Sequence, residues 1–208
     1  MIWRLFLAIV VLFSSSAFAE DKEPPPNKAL LALFEREFQL SLQESPELAT
    51  FIGVGGYNDK VTDLSPPAIA RRKAHVRSAI GELQAFDAKR LNAQDRISRA
   101  LMLENLRLTD GFNVLYGPLP FFGNAGWRFV GPTGGPQTFY TALSKAAPFR
   151  NARDYDDYLK RLTALPTVLE QMMALMRVGM TSGWMPPRDT MIPGCMRLAG
   201  RASSRSST

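Results

Sequence analysis

A capped run of helical spacing near the end of the chain constrains the fold more than any other stretch. From Pro148 to Arg188 the sequence reads PFRNARDYDDYLKRLTALPTVLEQMMALMRVGMTSGWMPPR. Asn151 is a good N-cap, and Asp154, three residues on, sets a carboxylate where it can reach back to unpaired backbone N–H groups. Apolar residues then recur at helical spacing: Tyr155, Tyr158, Leu159, Leu162 and Leu165. After Pro166 the pattern resumes with Leu169, Met172, Met173, Met176 and Met180. Gly183 can take the left-handed conformation that ends a helix, and Pro186-Pro187 prevents its restart. The Met cluster can serve as an adaptable binding surface, but the expected role is a core-facing stripe of flexible fillers. No catalytic or ligand-binding chemistry is legible in this stretch.

Earlier helices announce themselves in the same way. Asn27 to about Leu42 carries Leu30, Leu33, Phe34 and Phe38 on one stripe, with Glu35, Arg36 and Glu37 outside it. Ser45-Pro46-Glu47 is a cap, a first-turn proline and an acid at the positive end of the helix dipole. That short helix carries Leu48, Phe51 and Ile52 and breaks at Gly53, before a turn-rich loop at residues 55–59. Ser65-Pro66 opens a helix to about Ala88, with Ile69, Val76, Ile80 and Leu83 on one face. Asn92 with Asp95 caps a helix to about Phe112, with Ile97, Leu101 and Leu108 expected inward. Glu104 falls among them and is expected at a rim, with an Arg partner. A short helix from about Gln137 to Ala147 carries Phe139, Tyr140 and Leu143. There is no convincing run of alternating strands and no internal repeat. The expected fold is all-α, a bundle of five or six amphipathic helices with short capped connections.

Between the helices one segment differs in kind. Residues 117–136 hold six Gly and four Pro, with Phe121, Phe122, Trp127 and Phe129 among them. Its aromatics argue for packing, so the segment is expected to be a packed loop, and these four residues are the candidates to line a cleft. The spacing of its glycines fits neither a P-loop nor a dinucleotide fingerprint.

The first residues belong to targeting. Arg4 precedes a nine-residue apolar run, Leu5 to Phe13, too short to span a bilayer, and Ala17-Phe18-Ala19 is an A-x-A cleavage site. Residues 1–19 therefore read as a signal peptide, and residues 20–26 as a flexible, Pro-rich leader. The mature protein is expected to be soluble, periplasmic or secreted, with no stable membrane insertion. Residues 27–191 form the helical portion. Residues 192–208 lack acids, aromatics and amphipathic pattern. They read as a disordered tail or, in the reading we favour, as an out-of-frame or truncated end, because a helical domain stops there while setting up its next helix.

Charge and ligand chemistry exclude several functions. The formal charge is +6, but Arg4, Arg197, Arg201 and Arg205 lie outside the helical part. Without them 21 basic residues face 19 acidic ones, so the globule is nearly neutral and no nucleic acid is expected as partner. Arg71, Arg72, Lys73 and Arg77 are expected to be a solvated helix face, since no aromatic interleaving accompanies them. The single Cys195 forms no internal disulfide, and with the single His75 it cannot complete a four-ligand zinc site. His75 is expected to be a surface or packing residue. No catalytic, cofactor-binding or metal-binding residue emerges from the residues themselves.

Several stretches together resemble a known family. They are Ser45-Pro-Glu-Leu-Ala-Thr50, Gly53, Tyr57-Asn-Asp-Lys-Val-Thr-Asp-Leu-Ser65, Ala93-Gln-Asp-Arg96 and Pro148-Phe-Arg150. Asp154-Tyr-Asp-Asp-Tyr-Leu159, Arg161-Leu-Thr-Ala-Leu-Pro166 and Met185-Pro-Pro-Arg188 follow in the same order. This set resembles the N-terminal part of the bacterial domain of unknown function 885, over roughly Leu30 to Arg188. The resemblance implies a mostly helical, often exported, longer protein. Its C-terminal part would carry a His-Glu-x-x-Pro-Gly-His-His motif like that of a zinc metallopeptidase. This chain has one His and no His-Glu pair, so nothing of that motif is carried over; zinc is implied for full-length relatives only. The first expectation is an N-terminal helical portion, inactive alone, whose partners are a peptide substrate or the missing C-terminal part. The second is a short periplasmic helical module that binds a peptide or protein partner. A third, a basic tail on anionic surfaces, rests on three arginines.

Overall fold

A computed structural model of the chain describes residues 23–121 and 135–185. The expected signal peptide at 1–19, the expected tail at 192–208, and Phe122, Trp127 and Phe129 lie outside the described residues. Six α-helices run in order: α1 Lys28–Glu44, α2 Pro46–Phe51, α3 Pro66–Gln84, α4 Ala93–Leu115, α5 Pro136–Ala146 and α6 Ala152–Ser182. A 3-10 turn at Ala88–Arg90 joins α3 to α4, and no strand occurs among the described residues. The all-α expectation holds.

The caps explain where the helices begin. Asn27, Asn92 and Asn151 each accept, through the side-chain oxygen, a backbone N–H from the first turn of α1, α4 and α6. Asp95 also reaches out of its helix. Its Oδ2 accepts the Asn27 N–H at 2.6 Å, so the cap of α1 is tied to the first turn of α4. Glu23 accepts the Ala93 N–H at the same helix end. Gly183 closes α6 at φ 78°, the left-handed conformation expected of it. Pro166 does not interrupt α6, which runs 31 residues, about 46 Å. Pro166 and Leu162 are exposed, so water can take the Leu162 carbonyl that loses its helical donor.

The antiparallel pair α3 and α4 is the frame, and its two ends carry two apolar clusters. At one end α1 supplies Leu30 and Leu33 to Leu83, Leu91 and Leu103. At the other, α6 supplies Val168 and Leu175 to Ile69, Leu64 and Leu119. Helix α2 bridges α1 and α5.

Three expected core faces are corrected. On α4 the buried residues are Asp95, Leu103 and Asn113, while Ile97, Leu101 and Leu108 are all more than half exposed. Glu104, on the same outer face, is exposed. On α6 the core seam is Arg161, Val168, Leu175 and Gly179; Met172 packs inward but Met173 and Met180 are exposed. On α2 the order is inverted, with Glu47 and Thr50 buried and Leu48, Phe51 and Ile52 exposed. In each case the helix carries two apolar stripes or a polar one with an internal partner, and the neighbouring helix decides which turns inward. The basic cluster is not simply solvated either. Arg71 and Arg72 pair with Glu44, and Arg77 with Asp110. His75 meets Glu37 at 2.6 Å, which draws Glu37 off the outer face.

The corrected faces predict a contrast in stability. Leu175→Ala should cost about 2–5 kcal/mol in chemical denaturation, whereas Met173→Ala should change stability by less than about 0.5 kcal/mol. Equal losses would place the Met stripe back in the core.

Candidate functional site

Among the described residues Arg161 is the largest fully buried side chain, at 1% exposure, on the inner seam of α6. The loop after α2 folds back over it. Its Nε donates to the Lys60 carbonyl at 2.8 Å, one terminal nitrogen to the Tyr57 carbonyl at 2.6 Å, and the other to Thr50 Oγ1 at 2.9 Å. Thr50 Oγ1 in turn donates to Asn58 Oδ1 at 2.8 Å. Gly53 and Gly56, at φ 77° and 88°, let the loop make that return. Burial lowers the Arg161 pKa, and the negative charge of Glu47 opposes it.

The same loop is pinned from two further sides. Glu47 Oε1 accepts the Thr62 N–H at 2.9 Å and its Oε2 accepts the Thr62 hydroxyl. Gln171 of α6 accepts the Leu64 N–H at 2.8 Å and donates to Asp63 Oδ1 at 2.9 Å. Burial raises the Asp63 pKa, but hydrogen bonds from Ser65 and Gln171 outweigh it and leave the carboxyl below its ordinary value.

Above this pinned loop lies a cavity of about 550 Å³, walled by residues of α2, α3, α4, α5 and α6. That volume is within the range of small-molecule sites. Its apolar wall includes Leu64, Ile69, Val76, Val168, Met172 and Phe121. Its polar wall includes Glu47, Thr62, Lys73, Thr109, Asn113 and Tyr140. Phe121, the described member of the four cleft-lining candidates, stacks on Phe112 with centroids 4.5 Å apart and lines this cavity. Phe139 also lines it and meets Phe51 edge-on at 5.8 Å.

The charged groups on the wall are already engaged. Lys73 Nζ donates to the carbonyls of Asn113, Gly117 and Leu119, closing the C-terminal end of α4. Burial, then the nearby Arg77, lowers its pKa. His75 is not on the wall. Among the described residues no group of three His, Cys, Asp or Glu could hold a metal ion. With a single His in the whole chain, the donor set does not fit the zinc that the family resemblance implies. No helix among the described residues is long and apolar enough to cross a membrane.

The sequence marks neither Arg161 nor Asn113 as a site residue, and Lys73, expected on a solvated helix face, is instead held by three carbonyls. The one signal for Arg161 was its place seven residues before Val168 and fourteen before Leu175, a charged residue in an apolar seam.

Comparison with known families matches residues 46–207 to a bacterial protein family of unknown function, DUF885, and the chain belongs to that family. The match takes in α2 to α6, and with them the pinned loop and the cavity wall apart from Glu44 and Ser45. No curated protein matches the chain.

Burial raises the Tyr140 pKa to about 12, and the field of Glu47 adds to the rise. As pH passes the ordinary phenol value of about 10, the unfolded chain loses this proton and the folded chain keeps it. Stability should therefore fall from about pH 10 towards 12. Tyr140→Phe should flatten that fall and remove the latest phase from an ultraviolet titration of the tyrosines. A titration unchanged by the substitution would contradict the assignment.

Proposed function

We propose that this DUF885-family chain is the helical, non-catalytic portion of an exported, metallopeptidase-like protein. In this reading it shapes one side of a substrate cleft and packs against a further helical part. The observation that carries the reading is a pair of apolar stripes left open on two helices. On α4 these are Ile97, Leu101, Leu108 and Leu115. On α6 they are Tyr155, Leu159, Leu162, Leu169, Met173 and Met180. Each stripe follows helical spacing along most of its helix, and contiguous apolar surface of this kind marks a place where another element packs. The non-catalytic part of the reading draws on the single His and the lack of any His-Glu pair. The export part draws on Arg4, the apolar run Leu5 to Phe13 and the Ala17-Phe18-Ala19 site.

Expressed at full length in a Gram-negative host, the chain should be recovered from the periplasm with Glu20 as its first residue. The recovered protein should hold no stoichiometric zinc, hydrolyse no peptide and bind a hydrophobic dye while native. Leu159→Lys with Met173→Lys should cut dye binding several-fold without lowering Tm. Recovery in the cytoplasm with Met1 intact would overturn the export reading, and tight zinc with peptide hydrolysis the non-catalytic one. A native chain that ignores the dye would overturn the packing surface.

A further inference from the structure

The cavity carries an inference that goes beyond that reading and does not rest on it, because the chain's own helices form the wall. Three side chains on the wall, those of Ser45, Asn113 and Tyr140, have no hydrogen-bond partner among the described residues. Asn113 of α4 is 7% exposed; Lys73 donates to its backbone carbonyl, and no described residue meets its side-chain amide. The Tyr140 hydroxyl of α5 is likewise unmet. Buried polar groups in folded proteins are nearly always paired, so an orphan on a cavity wall points to a partner that enters the cavity.

The remaining wall says what that partner is. Leu64, Ile69, Val76, Val168 and Phe121 call for an apolar body. The charged residues on the wall are two acids, Glu44 and Glu47, and two bases, Arg72 and Lys73. Glu44 is paired with Arg72, Glu47 is held by Thr62 and Lys73 by three carbonyls. A charged ligand would find no charged side chain that is not already engaged, so little would offset its desolvation. A primary amide presents a donor and an acceptor on adjacent atoms, the complement of another amide. We propose that this cavity binds an uncharged ligand that joins an aryl or alkyl body to an amide, with the Asn113 side chain pairing with the ligand amide and the Tyr140 hydroxyl making the second polar contact. A hydrophobic residue within a peptide and a free small carboxamide share this chemistry.

The test uses the full 208-residue chain and three probes: 3-phenylpropanamide, its isosteric acid 3-phenylpropanoate, and N-acetyl-L-phenylalaninamide. Nuclear magnetic resonance titration should show the Asn113 side-chain NH2 pair moving with either amide. The acid should bind about tenfold more weakly than 3-phenylpropanamide. The tighter of the two amides identifies peptide or free carboxamide as the source. Asn113→Leu keeps the volume and removes the orphan. It should lose about tenfold in amide affinity while Tm holds or rises by about 3 °C. Tyr140→Phe, which keeps the ring, should lose about threefold. The proposal is overturned if neither amide binds at about 10 mM, if the acid binds as well as the amide, or if both variants keep wild-type affinity. It is also overturned if Asn113→Leu lowers Tm, since the amide would then serve the fold.

Discussion

A guanidinium with 1% exposure is the constraint around which the rest of the molecule is arranged. Taking a charge out of water costs several kcal/mol unless its donors are met. Arg161 meets that cost with neutral oxygens: two carbonyls of the loop after α2 and one hydroxyl of α2 itself. Those oxygens can be supplied only if the loop returns over α6 and α2 turns its Thr50 inward. This explains why a helix of six residues buries Glu47 and Thr50 and leaves Leu48 and Phe51 outside. Glu47, brought in with Thr50, adds negative charge to the neighbourhood of the guanidinium and holds Thr62. The Glu47 and Thr62 part of the cavity's polar wall thus follows from one buried charge.

Helix α6 joins this constraint to the open surface. Its inner seam serves Arg161 and the Val168–Leu175 cluster, while its second apolar stripe, a third of a turn away, faces out. A helix with apolar residues around more than half its circumference suits a position between two layers. The opposite arrangement holds on α3, where charged residues are satisfied at home: Arg71 and Arg72 by Glu44, Lys73 by the end of α4, Arg77 by Asp110. The basic surface is spent on internal structure, whereas the apolar surface is not.

Much of the fold was readable from the residues. Cap chemistry is local, so Asn27, Asn92, Asn151 and Gly183 marked helix ends within a residue or two. Choosing a buried face is not local. On α4 the stripe through Ile97, Leu101 and Leu108 looks as good as the one through Leu103, and only packing against α1 and α3 separates them. Of the site, Phe121 was visible through its aromatic setting. Arg161 and Asn113 were not, because their burial depends on partners over fifty residues distant in sequence or on a cavity that no spacing encodes. The stretches that carry the family resemblance are nevertheless the ones that build the clamp. Glu47, Thr50, Tyr57, Lys60, Thr62 and Arg161 all lie in them.

Hydrogen–deuterium exchange on Arg161→Lys tests most directly whether one buried charge organises the site. Lysine keeps the charge but cannot reach three diverging oxygens with a planar fork. Protection should be lost selectively over residues 46–64, with α1, α3 and the first half of α4 exchanging as in the parent chain. Unchanged exchange in the loop, or a uniform loss across every helix, would contradict the account.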